Sequence, residues 1–222
     1  MIKIFIVIVI LSLPLALIYL NSNHPEVSGK FLFSLFVVGV MIERIWETFF
    51  TSKEKEARKY HGDWTLPATV STFFLTSLFL VLAFYNTATK NIFFVLLGLF
   101  IFISAGIIRF WSIKALGEHW SIHLVVNKDQ KEKTALTKHG PYKYIRHPIY
   151  LGAILELIGI TFIVNNFYYF ILIVLVNVPL YILRSKYEEK INIKKFGEDY
   201  IKYMKEVPLM IPWKIFNYLK NK

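Results

Sequence analysis

Six apolar runs dominate this 222-residue chain: Ile4 to Leu20, Phe31 to Phe50, Trp64 to Tyr85, Ile92 to Trp111, Ile149 to Val164 and Phe167 to Leu183. A helix of about 17 to 25 residues crosses the roughly 30 Å of hydrocarbon in a bilayer, and most of these runs fall in that range. No single soluble core of this size needs so much apolar surface: 55% of the residues are hydrophobic and only 18% are charged. The expectation is an all-α, polytopic integral membrane protein with five to six transmembrane helices. The last two runs are separated only by Asn165 and Asn166, which predicts a tight C-terminal helical hairpin. The first run has no small-x-small cleavage site before Asn21, and is read as a retained helix rather than a signal peptide.

Charge sets the expected orientation. Basic residues follow the second run (Lys53, Lys55, Arg58, Lys59), seven lie between Lys114 and Arg146, and ten between Arg184 and Lys222. The alternate loops carry only Lys30 and Lys90. The positive-inside rule then places both termini, the middle loop and the tail in the cytoplasm. The same distribution assigns the net charge of +11 to anionic lipid headgroups rather than nucleic acid. Cysteine is absent, which excludes a thiol nucleophile, a thiolate metal site and disulfides. No G-x-G occurs anywhere, so the glycine-rich turn of soluble dinucleotide-binding folds is also missing.

The expected organisation is an N-terminal four-helix membrane region, 1–111, and a second region, 112–222, holding a cytoplasmic loop, the hairpin and the tail. The densest chemistry lies in HGPYKYIRHPIYLG, residues 139–152. Gly140-Pro141 signals a turn, and Pro148 suits a first helical turn, where its missing N–H costs no intrahelical bond. A cap alone does not call for Tyr142, Tyr144, Arg146, His147 and Tyr150 within nine residues. In the tail, Tyr187, Ile191, Phe196, Tyr200, Met204 and Val207 recur at three- to four-residue spacing opposite lysines, predicting an amphipathic helix, and the hairpin is expected to bring residues 184–222 together with 112–148.

Three motifs in order, LGEHWS at 116–121, GPYKYIRHPIYLG at 140–152 and YEEKINIKKFGEDYIKYMKEVPLMIP at 187–212, resemble the isoprenylcysteine carboxyl methyltransferase family and its phospholipid methyltransferase relatives. The resemblance covers about residues 104 to 213. It implies a cytoplasm-facing S-adenosylmethionine pocket lined by Tyr142, His147, Tyr150, Leu151 and Gly152, with His139 and Pro148 at the same helix start and Arg184 nearby. It further implies Arg146 as the anchor of a carboxylate, and Glu188 and Glu189 as catalytic acids. The implied acceptor is lipid-like or prenylated and enters from the bilayer. Methyl transfer from a sulfonium is a direct displacement, so no enzyme nucleophile is required. One departure stands out: relatives place a basic residue directly before the Val-Pro of the tail, where this chain has Glu206, with Lys205 one step earlier. Two alternative classes are an NADPH-dependent membrane sterol-type reductase, and a non-enzymatic transporter or scaffold.

Other polar groups have simpler readings. His119 and His123 with Glu118 do not complete a metal site, so none is expected. Glu43, Arg44 and Glu47 within the second run are expected to pair with one another. Glu156, two turns into the fifth run, is expected to face the pocket or to pair with Arg109.

Overall fold

The computed structural model describes residues 33, 36–42, 58–59, 64–86, 91–117, 125–126 and 136–212. The first apolar run, Glu43, Arg44, Glu47, Glu118, His119 and His123 lie outside those residues. Helix α1 is Thr65–Asn86, α2 is Ile92–Leu116 and α3 is Pro148–Val164. After the turn, α4, Tyr168–Leu172, passes through a π turn at Ile173–Asn177 into α5, Val178–Phe196. A last helix, α6, covers Glu198–Glu206. A two-residue antiparallel ladder, β1 Arg58–Lys59 against β2 Val125–Val126, joins the segment before α1 to the segment after α2.

Thr65–Phe84, Ile92–Leu116 and Tyr168–Phe196 are long and apolar enough to cross a membrane, and the protein is an integral membrane protein. The two arms of the predicted hairpin differ sharply in length. Helix α3, with 17 residues, extends about 26 Å. The second arm runs 29 residues, about 43 Å, because no break separates the apolar run ending at Leu183 from the start of the tail. The expected separate tail helix is therefore partly the upper end of this arm. No Gly or Pro lies between Leu183 and Phe196 to stop it, and the chain bends only at Gly197, whose φ of +59° suits glycine. Pro179 explains the π turn: it has no N–H for the carbonyl one turn back, so the ladder widens there.

Local signals fix the other ends. The Asn91 side chain caps α2 by accepting from the Phe93 N–H, and the Asn91 N–H donates to the side chain of Asn165, both at 2.9 Å. Asn165 itself adopts the left-handed conformation that closes α3. These two asparagines tie the start of α2 to the hairpin turn.

The tightest packing is between α2 and α3. A Cβ added to Gly98 would sit 2.6 Å from the Gly159 carbonyl oxygen, and one added to Gly159 would sit 2.9 Å from that of Gly98. Small residues let membrane helices approach to backbone contact, where dispersion replaces the hydrophobic drive that lipid does not supply. Outside this seam, α2 exposes Phe93, Leu96, Phe100, Ile107 and Phe110, a face suited to acyl chains. The core beneath gathers Val37, Met41, Phe73, Leu80, Leu157 and Ile160.

The α2–α3 seam also holds a buried ion pair: Arg109 Nη1 donates to Glu156 Oε1 at 2.7 Å, each residue only 2% exposed. Of the two positions expected for Glu156, the structure has the pair. Gly152 makes room for it, since a Cβ there would meet Arg109 Cγ at 2.3 Å. The boundary expected at 111/112 falls inside α2, which continues to Leu116.

Gly98→Ala is expected to destabilise the protein by about 1–3 kcal/mol through backbone overlap. Gly106→Ala, where an added Cβ meets nothing within 4 Å, should be neutral or slightly stabilising. Thermal unfolding of both variants in the same detergent checks the contrast.

Candidate active site

The residues before α3 form a short 3-10 turn, Gly140–Lys143, which buries Pro141 and Tyr142 and delivers Arg146 and His147 to the first turn of α3. Gly140 is obligatory there: its φ is +61°, and a Cβ would press within 2.9 Å of Ala115 on α2. Pro148 occupies the first helical turn as expected. The two amides just ahead of it pair with the tail. Arg146 N–H donates to the Pro208 carbonyl at 2.9 Å and His147 N–H to that of Leu209 at 3.0 Å. The predicted closure of tail upon helix start is therefore a backbone pairing.

Arg146 is the hub of this closure. Its Nε donates to Glu189 Oε1 at 2.6 Å, and its Nη1 donates to the carbonyls of Met204, at 2.9 Å, and Val207. The pair is largely shielded, with Arg146 and Glu189 side chains 10% and 8% exposed. The carboxylate that Arg146 holds in this structure is Glu189. His147 Nε2 lies 3.2 Å from the same Glu189 oxygen, and its Nδ1 lies 3.7 Å from Glu188 Oε2. Glu188 accepts a 2.6 Å hydrogen bond from the Tyr150 hydroxyl. The His147 and Tyr150 rings stack with planes 6° apart, and the Arg184 guanidinium stands 5.7 Å from the centre of the Tyr150 ring. Arg184 is buried and also donates to Thr65 Oγ1 of α1 at 3.2 Å.

Arg146, His147, Tyr150, Arg184, Glu188 and Glu189 thus form one connected cluster. The other residues singled out by sequence take different places. Tyr142 is buried, and its carbonyl accepts from the Tyr203 hydroxyl at 2.7 Å. Leu151 is half-buried, and Gly152 is occupied in clearing Arg109. His139 is exposed at the start of the 3-10 turn and does not cap it. Glu206 is exposed on α6.

Two contributors escaped the sequence reading. Tyr203 shares its buried cluster with Tyr200 and Val207, so the inner stripe of α6 runs 200, 203, 204, 207. That is the full three-and-four spacing, of which the reading used only part. Thr65 is a neutral hydroxyl at a helix start, with no local sign that a distant Arg184 reaches it.

Burial pushes the hydroxyls of Tyr142 and Tyr203 above the usual tyrosine range. For Tyr142 the Glu188 charge adds to burial, and for Tyr203 the Arg146 charge opposes it while Glu189 adds. Their neutral forms are thus favoured by folding. That contribution is complete below about pH 10, the unfolded tyrosine value, and declines as the pH rises above it. Release of the tail, followed by limited proteolysis within 198–212, is expected to accelerate above that pH. Arg146→Met should release it at neutral pH as well, because a stranded Glu189 costs about 3–5 kcal/mol; the same proteolysis and a melting curve measure this.

Comparison with known proteins agrees with this architecture. A phospholipid methyltransferase family model matches residues 93–199. A protein-S-isoprenylcysteine O-methyltransferase from Schizosaccharomyces pombe is 34% identical over 90 residues, 40% of this chain and 38% of that protein. Its namesake from Saccharomyces cerevisiae is 28% identical over 167 residues, 75% of this chain and 67% of that one. The chain therefore spans less than half the length of the first relative. The solved eukaryotic intramembrane Ras methyltransferase, isoprenylcysteine carboxyl methyltransferase, shares the fold, with a TM-score of 0.56 at 21% identity over 95% of this chain and 75% of its own. Motifs, fold and matched segments agree: over its C-terminal half the chain is similar to the phospholipid methyltransferase family and to isoprenylcysteine carboxyl methyltransferases.

Proposed function

We propose that the protein is a membrane-embedded S-adenosylmethionine-dependent methyltransferase acting on an amphipathic acceptor, either a prenylcysteine-type carboxylate or a lipid headgroup. The observation that carries this reading is Glu188: its side chain is 29% exposed and is steadied by Tyr150 beside the stacked His147 and Tyr150 rings. A carboxylate beside aromatic rings suits a compact cation such as a sulfonium. Arg184 adds a guanidinium fork close by, of the kind that suits a carboxylate. Bound there, S-adenosylmethionine supplies a methyl group activated by positive sulfur.

The residues then divide the work. Arg146 locks the tail over the helix start through Glu189, so the acids and rings are fixed before any ligand arrives. Glu188, Tyr150 and His147 orient the donor. A carboxylate acceptor is already deprotonated at neutral pH and needs no base, whereas an amine must lose a proton, for which His147 is the candidate base, Glu189 being held by Arg146. The cluster stands where apolar helices meet the basic segments. In that position a donor from water and an acceptor from lipid can meet, on the cytoplasmic side by the charge rule.

Purified protein incubated with methyl-labelled S-adenosylmethionine is expected to label one species when given a host lipid extract or prenylcysteine. Which one is labelled identifies the acceptor, and no label in either defeats the reading. Glu188→Gln should weaken donor binding about 10- to 100-fold, the size of a lost hydrogen bond to a charged group, with calorimetric titration as the measurement.

A further inference from the structure

Asn177 is fully buried at the end of the π turn, seven residues before Arg184 of the polar cluster. Its amide nitrogen donates to Thr76 Oγ1 of α1 at 2.9 Å. Its carbonyl oxygen is buried with no hydrogen-bond partner among the described residues. A polar group at this depth is costly, and an apolar residue of similar size would pack there without that penalty. Buried polar residues of this kind serve register and orientation at the expense of stability.

The geometry above Asn177 says what orientation is being set. A π turn carries one residue more than an α turn, so everything after it is rotated by about 100° relative to an unbroken helix. From Asn177 onward, positions 177, 181, 184 and 188 lie at i, i+4, i+7 and i+11, a single stripe. Tyr181 packs with Ala153, Ile154 and Met210 and faces Tyr150, with ring centres 5.7 Å apart. Arg184 reaches Thr65 of α1 and the Tyr150 ring, and Glu188 takes the Tyr150 hydroxyl. One stripe is thus held to α1 at two levels, Thr76 and Thr65, and delivers its acid to the site about 16 Å beyond Asn177.

We propose that Asn177, latched to Thr76, is a positioning residue that fixes the rotation of α5 and so places Arg184 and Glu188 at the methyl-transfer site. The placement of donor-binding groups rests on the methyltransferase reading; the rotation does not. The test separates them. Because the chain has no cysteine, Ser71→Cys and Lys186→Cys, both at exposed positions, provide one spin-label pair reporting α5 against α1. In that background, Asn177→Leu and Thr76→Val are each expected to shift or broaden the interspin distance. Each should also weaken S-adenosylmethionine binding about tenfold, a typical effect for a residue coupled to a site without touching its ligand. The double variant should be no worse than the worse single, since both remove one bond. Thr76→Ser keeps the hydroxyl and should restore both readouts, and it serves should Asn177→Leu fold poorly. Unchanged distances and affinity in Thr76→Val, even with a lowered melting temperature, overturn the proposal. Moved labels with unchanged affinity overturn the coupling to the site. Should the wild-type protein bind no S-adenosylmethionine, the methyltransferase reading fails while the distances still decide the latch.

Discussion

The arrangement of the site depends on one interaction, the clasp of Arg146 on Glu189 and on the carbonyls at the end of α6. A guanidinium presents several donors in a rigid plane, so one side chain can hold a carboxylate and two backbone oxygens together. Removing it leaves a shielded carboxylate without its main partner and tail carbonyls without donors. The backbone bonds from Arg146 and His147 to Pro208 and Leu209 reinforce the same join. Charge and main chain thus close one seam between segments some sixty residues apart.

A second ion pair, Arg109 with Glu156, works differently. It lies within the helix pair whose backbones touch at Gly98 and Gly159, and Gly152 exists beside it as clearance for the arginine stem. Burying two charges in apolar surroundings gains little net stability over an apolar pair, yet separating them costs several kcal/mol. The pair therefore fixes how α2 and α3 face one another more than how firmly they adhere. The close glycine contact and the ion pair constrain the same seam at different heights, and α3 carries the first turn of the site.

The cluster at the helix start is where the chain spends its polar groups in common. Glu188 and Glu189, adjacent in sequence, point to different partners: one to Tyr150 and one to Arg146 and His147. Successive helical residues diverge by about 100°, so two acids side by side naturally serve two roles. In the proposed chemistry Glu189 is the structural acid and Glu188 the one turned toward a ligand. Glu206 is exposed on α6 directly before Val207, whose carbonyl takes part in the clasp.

Much of this was legible in the chain itself. Runs of apolar residues determined a helical membrane protein, because unpaired backbone in hydrocarbon leaves few other options. Asn165-Asn166 marked the hairpin turn and Pro148 the start of α3, and the Arg-His-Pro segment and the paired acids, costly beside apolar spans, fall in one polar cluster. Tertiary structure alone decided which partner each charge takes. Sequence offered Glu156 either a pocket or Arg109, did not pair Arg146 with Glu189, and left Thr65, Asn177 and Tyr203 unremarked. Those choices depend on helix rotation and on a π turn that inserts one residue, quantities that couple positions 43 to 119 residues apart. A pattern with a period of three to four residues does not encode them.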